Sequence, residues 1–221
     1  MTKAYKGMAM EGAIARWYNR NTREGREFDA LAQRICRIIA PGSNVLEVAP
    51  GPGYLAIEIA RRGNYRVAGV EISKTFVEIE KANAQAAGVT IDFRRGDAAD
   101  LPFADATFDL VVCVAAFKNF SRPAKALAEM QRVLAPGGKA LVIDLRHDAS
   151  RAAINREVDG MGLNGLNAAL TKLTFSAFLL RNAYTEEQMQ AFLRDAHISN
   201  ARIETSGIVF EVWLEKSSGS R

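Results

Sequence analysis

Two glutamates, each in or at the end of an apolar segment, lie on either side of a glycine-rich turn in the sequence. Glu47 lies inside an apolar run that leads into a turn containing Gly51 and Gly53, and Glu71 ends the next apolar run. Glycines between a strand and a helix let the backbone approach a ligand closely, and a carboxylate at the tip of the neighbouring strand can accept hydrogen bonds from ribose hydroxyls. The spacing therefore predicts a pocket for a nucleoside-containing cofactor.

The glycine turn alone leaves the kind of cofactor open. The segment 51–56 matches the dinucleotide fingerprint with alanine in the last place, so an NAD(P)-dependent oxidoreductase is one reading. However, Glu47 would face a pyrophosphate unfavourably, whereas it suits a cationic or amino-bearing ligand. A further carboxylate, Asp97, follows the third predicted strand. We therefore favour a cationic nucleoside over a dinucleotide.

Alternating strands and helices are expected to position these residues. Strands are predicted at 45–48, 66–72, 89–94, 108–114 and 139–145, with helices at 54–62, 74–88 and 123–134 between them. Near-continuous apolar strands separated by helices indicate a parallel sheet that is covered on both faces.

The end of the chain departs from this alternation. A capping box at Thr185–Gln188 opens a helix, and two further strands at 201–205 and 208–215 are joined by the short link Ser206–Gly207. Such a short link makes the two strands antiparallel neighbours. The fold class is therefore predicted as α/β, a Rossmann-like seven-stranded sheet with a C-terminal antiparallel hairpin and helices on both faces.

The chain is long enough for one domain with a full core. We divide it into an N-terminal helical lid (1–42), a cofactor-binding core (43–145), a helical insertion or substrate cap (146–184), a C-terminal helix and hairpin (185–216) and a tail (217–221). The stretch 161–180 is glycine-rich and then apolar. Three roles stay open for it: a helix over the pocket, a homodimer contact, or contact with a membrane surface.

Composition excludes several function classes. The formal charge of +4 is mild and the basic residues are spread along the chain, so no nucleic-acid surface is predicted. Two histidines and two isolated cysteines, Cys36 and Cys113, give no metal-site or disulfide pattern. The first twenty residues lack the apolar core of a signal peptide, so a cytoplasmic location is expected.

The motifs together resemble the class I S-adenosylmethionine-dependent methyltransferases, of the methyltransferase domain 11 type. The resemblance rests on four segments: Glu47–Gly53, Arg95–Ala98, Leu101–Val111 and Arg132–Gly138. It implies S-adenosylmethionine as cofactor and S-adenosylhomocysteine as product. In one departure, Ala49 stands where the family has a glycine.

The resemblance also implies roles for the cofactor-binding residues. Glu47 and the Gly51 and Gly53 backbone would hold the methionyl end, and Glu71 would bind the ribose. Asp97 and Ala98 would reach the adenine. The full implied set is Glu47, Ala49, Gly51, Gly53, Glu71, Ile72, Asp97, Ala98 and Ala115.

Acceptor-side residues are expected after the fourth and fifth strands, where open α/β sheets bind ligands. After the fourth come Phe117, Lys118 and Asn119, and the last two are similar to an Arg-Asn pair in ubiquinone/menaquinone-biosynthesis methyltransferases. After the fifth come Arg146 and His147. The sequence after the fourth strand is not of the Asn-Pro-Pro-Tyr kind, which weighs against methylation of adenine or glutamine nitrogens.

Two side chains are candidates for catalysis. His147 is a candidate base, because histidine is the side chain type best suited to proton transfer at neutral pH, and Tyr18 from the lid could touch cofactor or acceptor. We therefore expect in-line methyl transfer to a small or lipophilic molecule. The accepting atom is not predicted, and an RNA methyltransferase stays open as an alternative.

Overall fold

A computed structural model describes residues 5–6, 10–22, 26–160 and 182–218. Seven strands in this part of the chain form one sheet in the order β3-β2-β1-β4-β5-β7-β6, with β7 antiparallel to both of its neighbours. The strands are β1 Asn44–Val48, β2 Arg66–Glu71, β3 Asp92–Arg95, β4 Phe108–Val114, β5 Leu134–Leu145, β6 Ala201–Ser206 and β7 Val209–Glu215. The predicted fold class, including the closing hairpin, is confirmed.

Helices cover both faces of the sheet. They are α1 Gly12–Thr22, α2 Arg26–Cys36, α3 Tyr54–Arg61, α4 Lys74–Ala87, α5 Pro123–Val133, α6 Arg151–Gly160 and α7 Glu186–Asp195. Apolar side chains of α2 and α3 share one core cluster with one face of the sheet, and those of α5 and α7 share a second cluster with the opposite face. Alternate strand residues point to opposite faces, so a central strand such as β1 contributes to both clusters.

Local capping signals explain where two of the helices begin and end. The Ser73 hydroxyl accepts a hydrogen bond from the Phe76 N–H at 3.1 Å, and Gly88 ends α4 in the left-handed conformation at φ 70°. The Thr185–Gln188 capping box is present in both directions at the start of α7. These predictions are confirmed.

Two strand boundaries differ from the prediction. The strand predicted from residue 89 begins at Asp92, because the Val89 N–H still donates to the Ala84 carbonyl at the end of α4. The strand predicted from residue 139 begins at Leu134, which pairs with Phe108 before the register shifts. Residues 136–138 therefore form an irregularity within β5 instead of preceding it.

The lid and the cap are described only in part. The N-terminal region forms α1 and α2, and within the predicted cap α6 packs through Ile154 and Val158 in a small cluster with Ile208. The predicted dimer or membrane contact at 161–180 lies outside the described residues. None of the described helices has the length and hydropathy needed to span a bilayer.

Candidate functional site

The carboxyl ends of the parallel strands meet at one edge of the sheet, and the glycine turn after β1 lies at this edge. β1 sits between β2 and β4, where the strand order changes direction, which is where open α/β sheets bind ligands. Gly51 adopts φ 59°, and a side chain there would meet nothing within 4 Å. One side of the turn is therefore open to a ligand.

Gly53 faces the opposite way, into the protein. It adopts φ 80°, and a Cβ added there would lie 3.0 Å from both the Glu80 Cβ and the Phe93 ring. A larger residue would push α4 and β3 away from the turn. Gly53 thus lets α4 pack directly beneath the cofactor turn.

Glu47 is buried beside this turn at the end of β1. One carboxylate oxygen accepts a hydrogen bond from the Ala56 N–H of α3 at 2.9 Å. Burial raises the pKa of Glu47 to about 8, opposed by this hydrogen bond and assisted by the neighbouring Glu71. A positively charged ligand group would restore the ionised form.

Glu71 is also buried, and two backbone groups hold its carboxylate. The Gly51 N–H donates to one oxygen at 3.2 Å and the Ser73 N–H to the other at 2.9 Å. Burial raises the pKa of Glu71 despite these donors. Because a carboxylate accepts about four hydrogen bonds, capacity remains for two ribose hydroxyls.

A third buried carboxyl, that of Glu80, was not among the predicted residues. Glu80 is fully buried on α4, and neither of its oxygens has a hydrogen-bond partner among the described residues. Burial raises the pKa of Glu80 to about 10, with smaller contributions from Glu71 and Glu47. The helical spacing from Phe76 and Val77 to Glu80 and Ala84 could have marked it as a buried position.

Asp97 has two partners within the chain. One oxygen accepts from the Ala99 N–H at 2.9 Å, and the other accepts from the Arg122 guanidinium at 2.7 Å. Ala98 packs against the core, and the neighbouring Ile72 carbonyl accepts from the Arg95 side chain at 3.2 Å. The contact of Asp97 and Ala98 with adenine stays a prediction.

Two alanines at the sheet edge have left-handed backbones. Ala49 follows β1 with φ 58°, and Ala115 follows β4 with φ 54°. Each donates its N–H to the neighbouring strand at 2.8 Å, Ala49 to Val70 and Ala115 to Ile143. A residue with a Cβ loses roughly 1–2 kcal/mol in this conformation. The alanine in the family's glycine position therefore adopts a turn that glycine would form more easily.

On the acceptor side, Lys118 is fixed by a buried carboxylate. The Asp144 side chain is fully buried and accepts from the Lys118 ammonium at 2.9 Å and from the Lys118 N–H at 2.8 Å. The same ammonium donates to the Ala115 carbonyl at 2.7 Å. This pair ties the end of β5 to the loop after β4.

A cavity of about 290 Å³ lies next to this pair. Its lining is mostly polar and consists of Lys6, Lys118, Asn119, Asn182, Ala183, Tyr184 and Gln188. The Lys6 ammonium contacts the Tyr184 hydroxyl and lies 4.5 Å from the centre of its ring. No periodic pattern or motif marks Lys6 or Tyr184, because their contact joins residues that lie 178 positions apart in the chain.

The other acceptor-side predictions have mixed outcomes. Phe117 is fully buried and packs on Phe120 and Tyr184, with ring centres 5.4 and 6.0 Å apart, and its contact with a substrate stays a prediction. Arg146 pairs with Asp148 at 2.8 Å. His147 is exposed at the end of β5, and its N–H donates to the Tyr184 carbonyl at 3.0 Å.

The lid brings two tyrosines to the cofactor side. Tyr18 on α1 packs edge-on against Phe76, with ring centres 5.9 Å apart. Tyr5 is half-buried, and its pKa is raised first by burial and then by the charge of Glu71. The effect of Glu71 places Tyr5 near the predicted ribose carboxylate, although the sequence analysis did not select it.

Comparison with known proteins gives the domain type. A family model described as a methyltransferase domain matches residues 46–142. Demethylmenaquinone methyltransferase of Deinococcus radiodurans is 38% identical over 107 residues, which cover 48% of this chain and 44% of that protein. A 2-phytyl-1,4-naphtoquinone methyltransferase of Synechococcus elongatus is 33% identical over 114 residues, covering 50% of this chain and 49% of the relative. The chain thus spans about half the length of these relatives.

The fold is shared over the whole chain with a solved structure. A Methanococcus maripaludis protein, provisionally assigned as an S-adenosyl-L-methionine-dependent methyltransferase, superposes with a TM-score of 0.76 and 20% identity. The superposition covers 100% of this chain and 99% of the other. Residues 46–142 therefore match a methyltransferase domain, and the chain shares the fold of the Methanococcus maripaludis protein.

Proposed function

We propose that the protein transfers a methyl group from S-adenosylmethionine to a lipophilic ring acceptor. The observation that carries the proposal is the pair of buried carboxyls, Glu47 at the end of β1 and Glu71 bonded to the Gly51 N–H, at the glycine turn. A pocket built from carboxyls suits a ligand that brings hydroxyl and ammonium donors. It fits an anionic pyrophosphate poorly.

The residues at the turn fit this cofactor. Glu47 and the Gly51–Gly53 backbone would hold the methionyl end, Glu71 the ribose hydroxyls, and Asp97 with Ala98 the adenine. S-adenosylmethionine supplies a methyl group activated by positive sulfur. The chain would then contribute alignment of the acceptor and exclusion of water.

We place the acceptor at the cavity beside Lys118. Three observations support this: the position of the cavity after β4 and β5, the presence of Asn119 in its lining, and the names of two curated relatives, which are a demethylmenaquinone and a 2-phytyl-1,4-naphtoquinone methyltransferase. An electrophilic methyl group requires an electron-rich partner, so the acceptor would be the reduced, hydroxylated form of such a ring. The ammonium and amide groups of the lining would bind the ring oxygens.

His147 and Arg146 remain proposed acceptor-side residues, and Tyr18 a proposed lid residue. A base is needed because a ring that gains a methyl group must lose a proton. His147 lies directly after β5 and its backbone is bonded to Tyr184, a cavity residue. This neighbourhood supports a role in taking that proton.

The proposal is tested in two steps on the full chain. Titration calorimetry should detect S-adenosylhomocysteine binding and no comparable binding of reduced nicotinamide dinucleotide, and the reverse result would contradict the cofactor assignment. Methyl-labelled cofactor should then label a reduced demethylated naphthoquinone. Cofactor binding without labelling of this acceptor would retain the cofactor site and reject the acceptor.

A further inference from the structure

Helix α1 exposes apolar side chains to an unusual degree. Four large apolar side chains are exposed in the described part of the chain, and three of them lie on this helix: Ile14 at 42%, Trp17 at 59% and Tyr18 at 38%. Their spacing of three and four residues puts them on neighbouring turns. Burying such side chains normally stabilises a protein, so an exposed cluster marks an interaction surface.

The inner face of the same helix holds it in place. Ala15 is fully buried. Asn19 accepts hydrogen bonds from the Tyr54 hydroxyl at 2.6 Å and from the Asn83 amide at 3.0 Å. The outward direction of Trp17 is therefore fixed by the anchored inner face.

The charge of α1 indicates which surface it would meet. Arg16 and Arg20 are exposed, and the helix contains no acidic residue. The acidic residue just before it, Glu11, accepts hydrogen bonds from the Lys74 and Thr75 N–H groups at the start of α4. A short helix with tryptophan between arginines is typical of segments that lie in the interface of an anionic bilayer.

The start of α1 is hydrogen-bonded to residues beside the proposed cofactor site. The Gly12 N–H donates to the Thr75 hydroxyl at 2.9 Å, and the Ser73 hydroxyl donates to the Met10 carbonyl at 2.7 Å. The Ser73 N–H also donates to the Glu71 carboxylate. The exposed face thus belongs to α1, and the start of α1 is hydrogen-bonded to Ser73 and Thr75 beside the proposed cofactor site.

We propose that α1 docks on an anionic lipid surface, with Ile14 and Trp17 in the headgroup region and Arg16 and Arg20 against lipid phosphates. Docking would bring the sheet edge that carries the site close to the phase in which a lipophilic acceptor resides. The surface contact itself does not depend on the proposed methyl transfer, because it rests only on the exposure and charge of α1.

Tryptophan fluorescence of the full chain can test this contact. The other tryptophan, Trp213, lies half-buried in β7, so Trp213→Phe leaves Trp17 as the reporter. Vesicles of equal phosphatidylglycerol and phosphatidylcholine should shift the Trp17 emission to shorter wavelength, whereas pure phosphatidylcholine should not. Vesicle flotation of the unsubstituted chain repeats the measurement if the Trp213 variant does not fold.

Matched variants separate binding through α1 from nonspecific adsorption to vesicles. Replacing Arg16 and Arg20 by glutamine should weaken binding to the anionic vesicles by roughly 25-fold, about fivefold for each charge. Trp17→Ser should weaken it as well, whereas Ile38→Ser, at an exposed isoleucine outside α1, should not.

Three results would overturn the proposal. One is an unchanged Trp17 emission with anionic vesicles, and another is undiminished binding by the double arginine variant. The third is an emission shift that depends on protein concentration without lipid, which would identify a second copy of the chain as the occupant. S-adenosylhomocysteine binding, measured on the same variants, should be unchanged and reports separately on the proposed function.

Discussion

Two fully buried carboxyls in this protein have opposite surroundings. On the acceptor side, Asp144 accepts hydrogen bonds from the Lys118 ammonium and from the N–H groups of Lys118 and Leu145. Beneath the glycine turn, Glu80 has no hydrogen-bond partner in the part of the chain that the structure describes, and the charges of Glu71 and Glu47 raise its pKa further. The charge of Asp144 is balanced by Lys118, whereas Glu80 has no such ion pair among the described residues.

The difference shows how the two halves of the proposed site are prepared, the acceptor half beside Lys118 and the cofactor half at the glycine turn. The acceptor half is completed by internal ion pairing, so its shape is set before a ligand arrives. In the cofactor half, three buried carboxyls share few donors, which is costly for the free protein. A ligand that brings ammonium and hydroxyl groups would relieve part of that cost. Four substitutions test this contrast.

The largest effect is expected from Lys118→Ala, which leaves the buried Asp144 carboxylate without its counter-charge. We expect a loss of roughly 3 kcal/mol in the free energy of unfolding, measured by urea denaturation. Lys125→Ala, at an exposed lysine of α5, should change it by less than about 0.5 kcal/mol. Equal urea-unfolding midpoints for the two variants would show that the Lys118–Asp144 pair does not stabilise the proposed acceptor half.

Glu80→Met should act in the opposite direction, because it removes an unpartnered buried carboxyl and retains similar length. We expect a gain of about 2 kcal/mol at pH 8. The sign of the pH dependence follows from the raised pKa. The folded protein keeps a proton up to about pH 10 that the unfolded chain releases near pH 4.5, so unfolding free energy falls as pH rises through this window.

The stability gain of the Glu80→Met variant over the unsubstituted protein, measured by thermal unfolding, should therefore increase between pH 5 and pH 9. Glu78→Met, two residues earlier on the exposed face of α4, is the control and should show no such growth. A constant difference across this range would mean that Glu80 does not hold a proton in the folded protein.

Glu71→Ala tests the ribose carboxylate. It should weaken S-adenosylhomocysteine binding by about 2 kcal/mol, roughly thirtyfold, because hydrogen bonds to a charged group are lost. Calorimetry with Glu78→Ala as the control measures this loss. Unchanged affinity would refute the ribose assignment.

The smallest effect is expected at the strained turn. Ala49→Gly should raise stability by about 0.5 kcal/mol, since relief of the left-handed strain slightly exceeds the entropy that glycine loses on folding. Ala86→Gly, at an exposed position inside α4, should instead lower it by about 1 kcal/mol. A loss of stability at both positions would show that the turn after β1 is not strained.

Short-range signals in the sequence predicted several local features of this structure. The Ser73 cap and the Thr185–Gln188 capping box depend on hydrogen bonds within four residues, and both form as predicted. The antiparallel hairpin follows from the short link at Ser206–Gly207, which leaves no room for a crossover. The start of β5 was missed because its pairing with Phe108 is a long-range contact.

The sequence by itself determined the fold class and the position of the cofactor turn, because apolar periodicity, glycine placement and strand-end carboxylates act over short distances along the chain. Only the tertiary structure decided which groups lack a partner and which are neutralised. The pairing of Asp144 with Lys118, the isolation of Glu80 and the meeting of Lys6 with Tyr184 all join distant segments. Burial and charge in three dimensions, which no local pattern contains, set these outcomes.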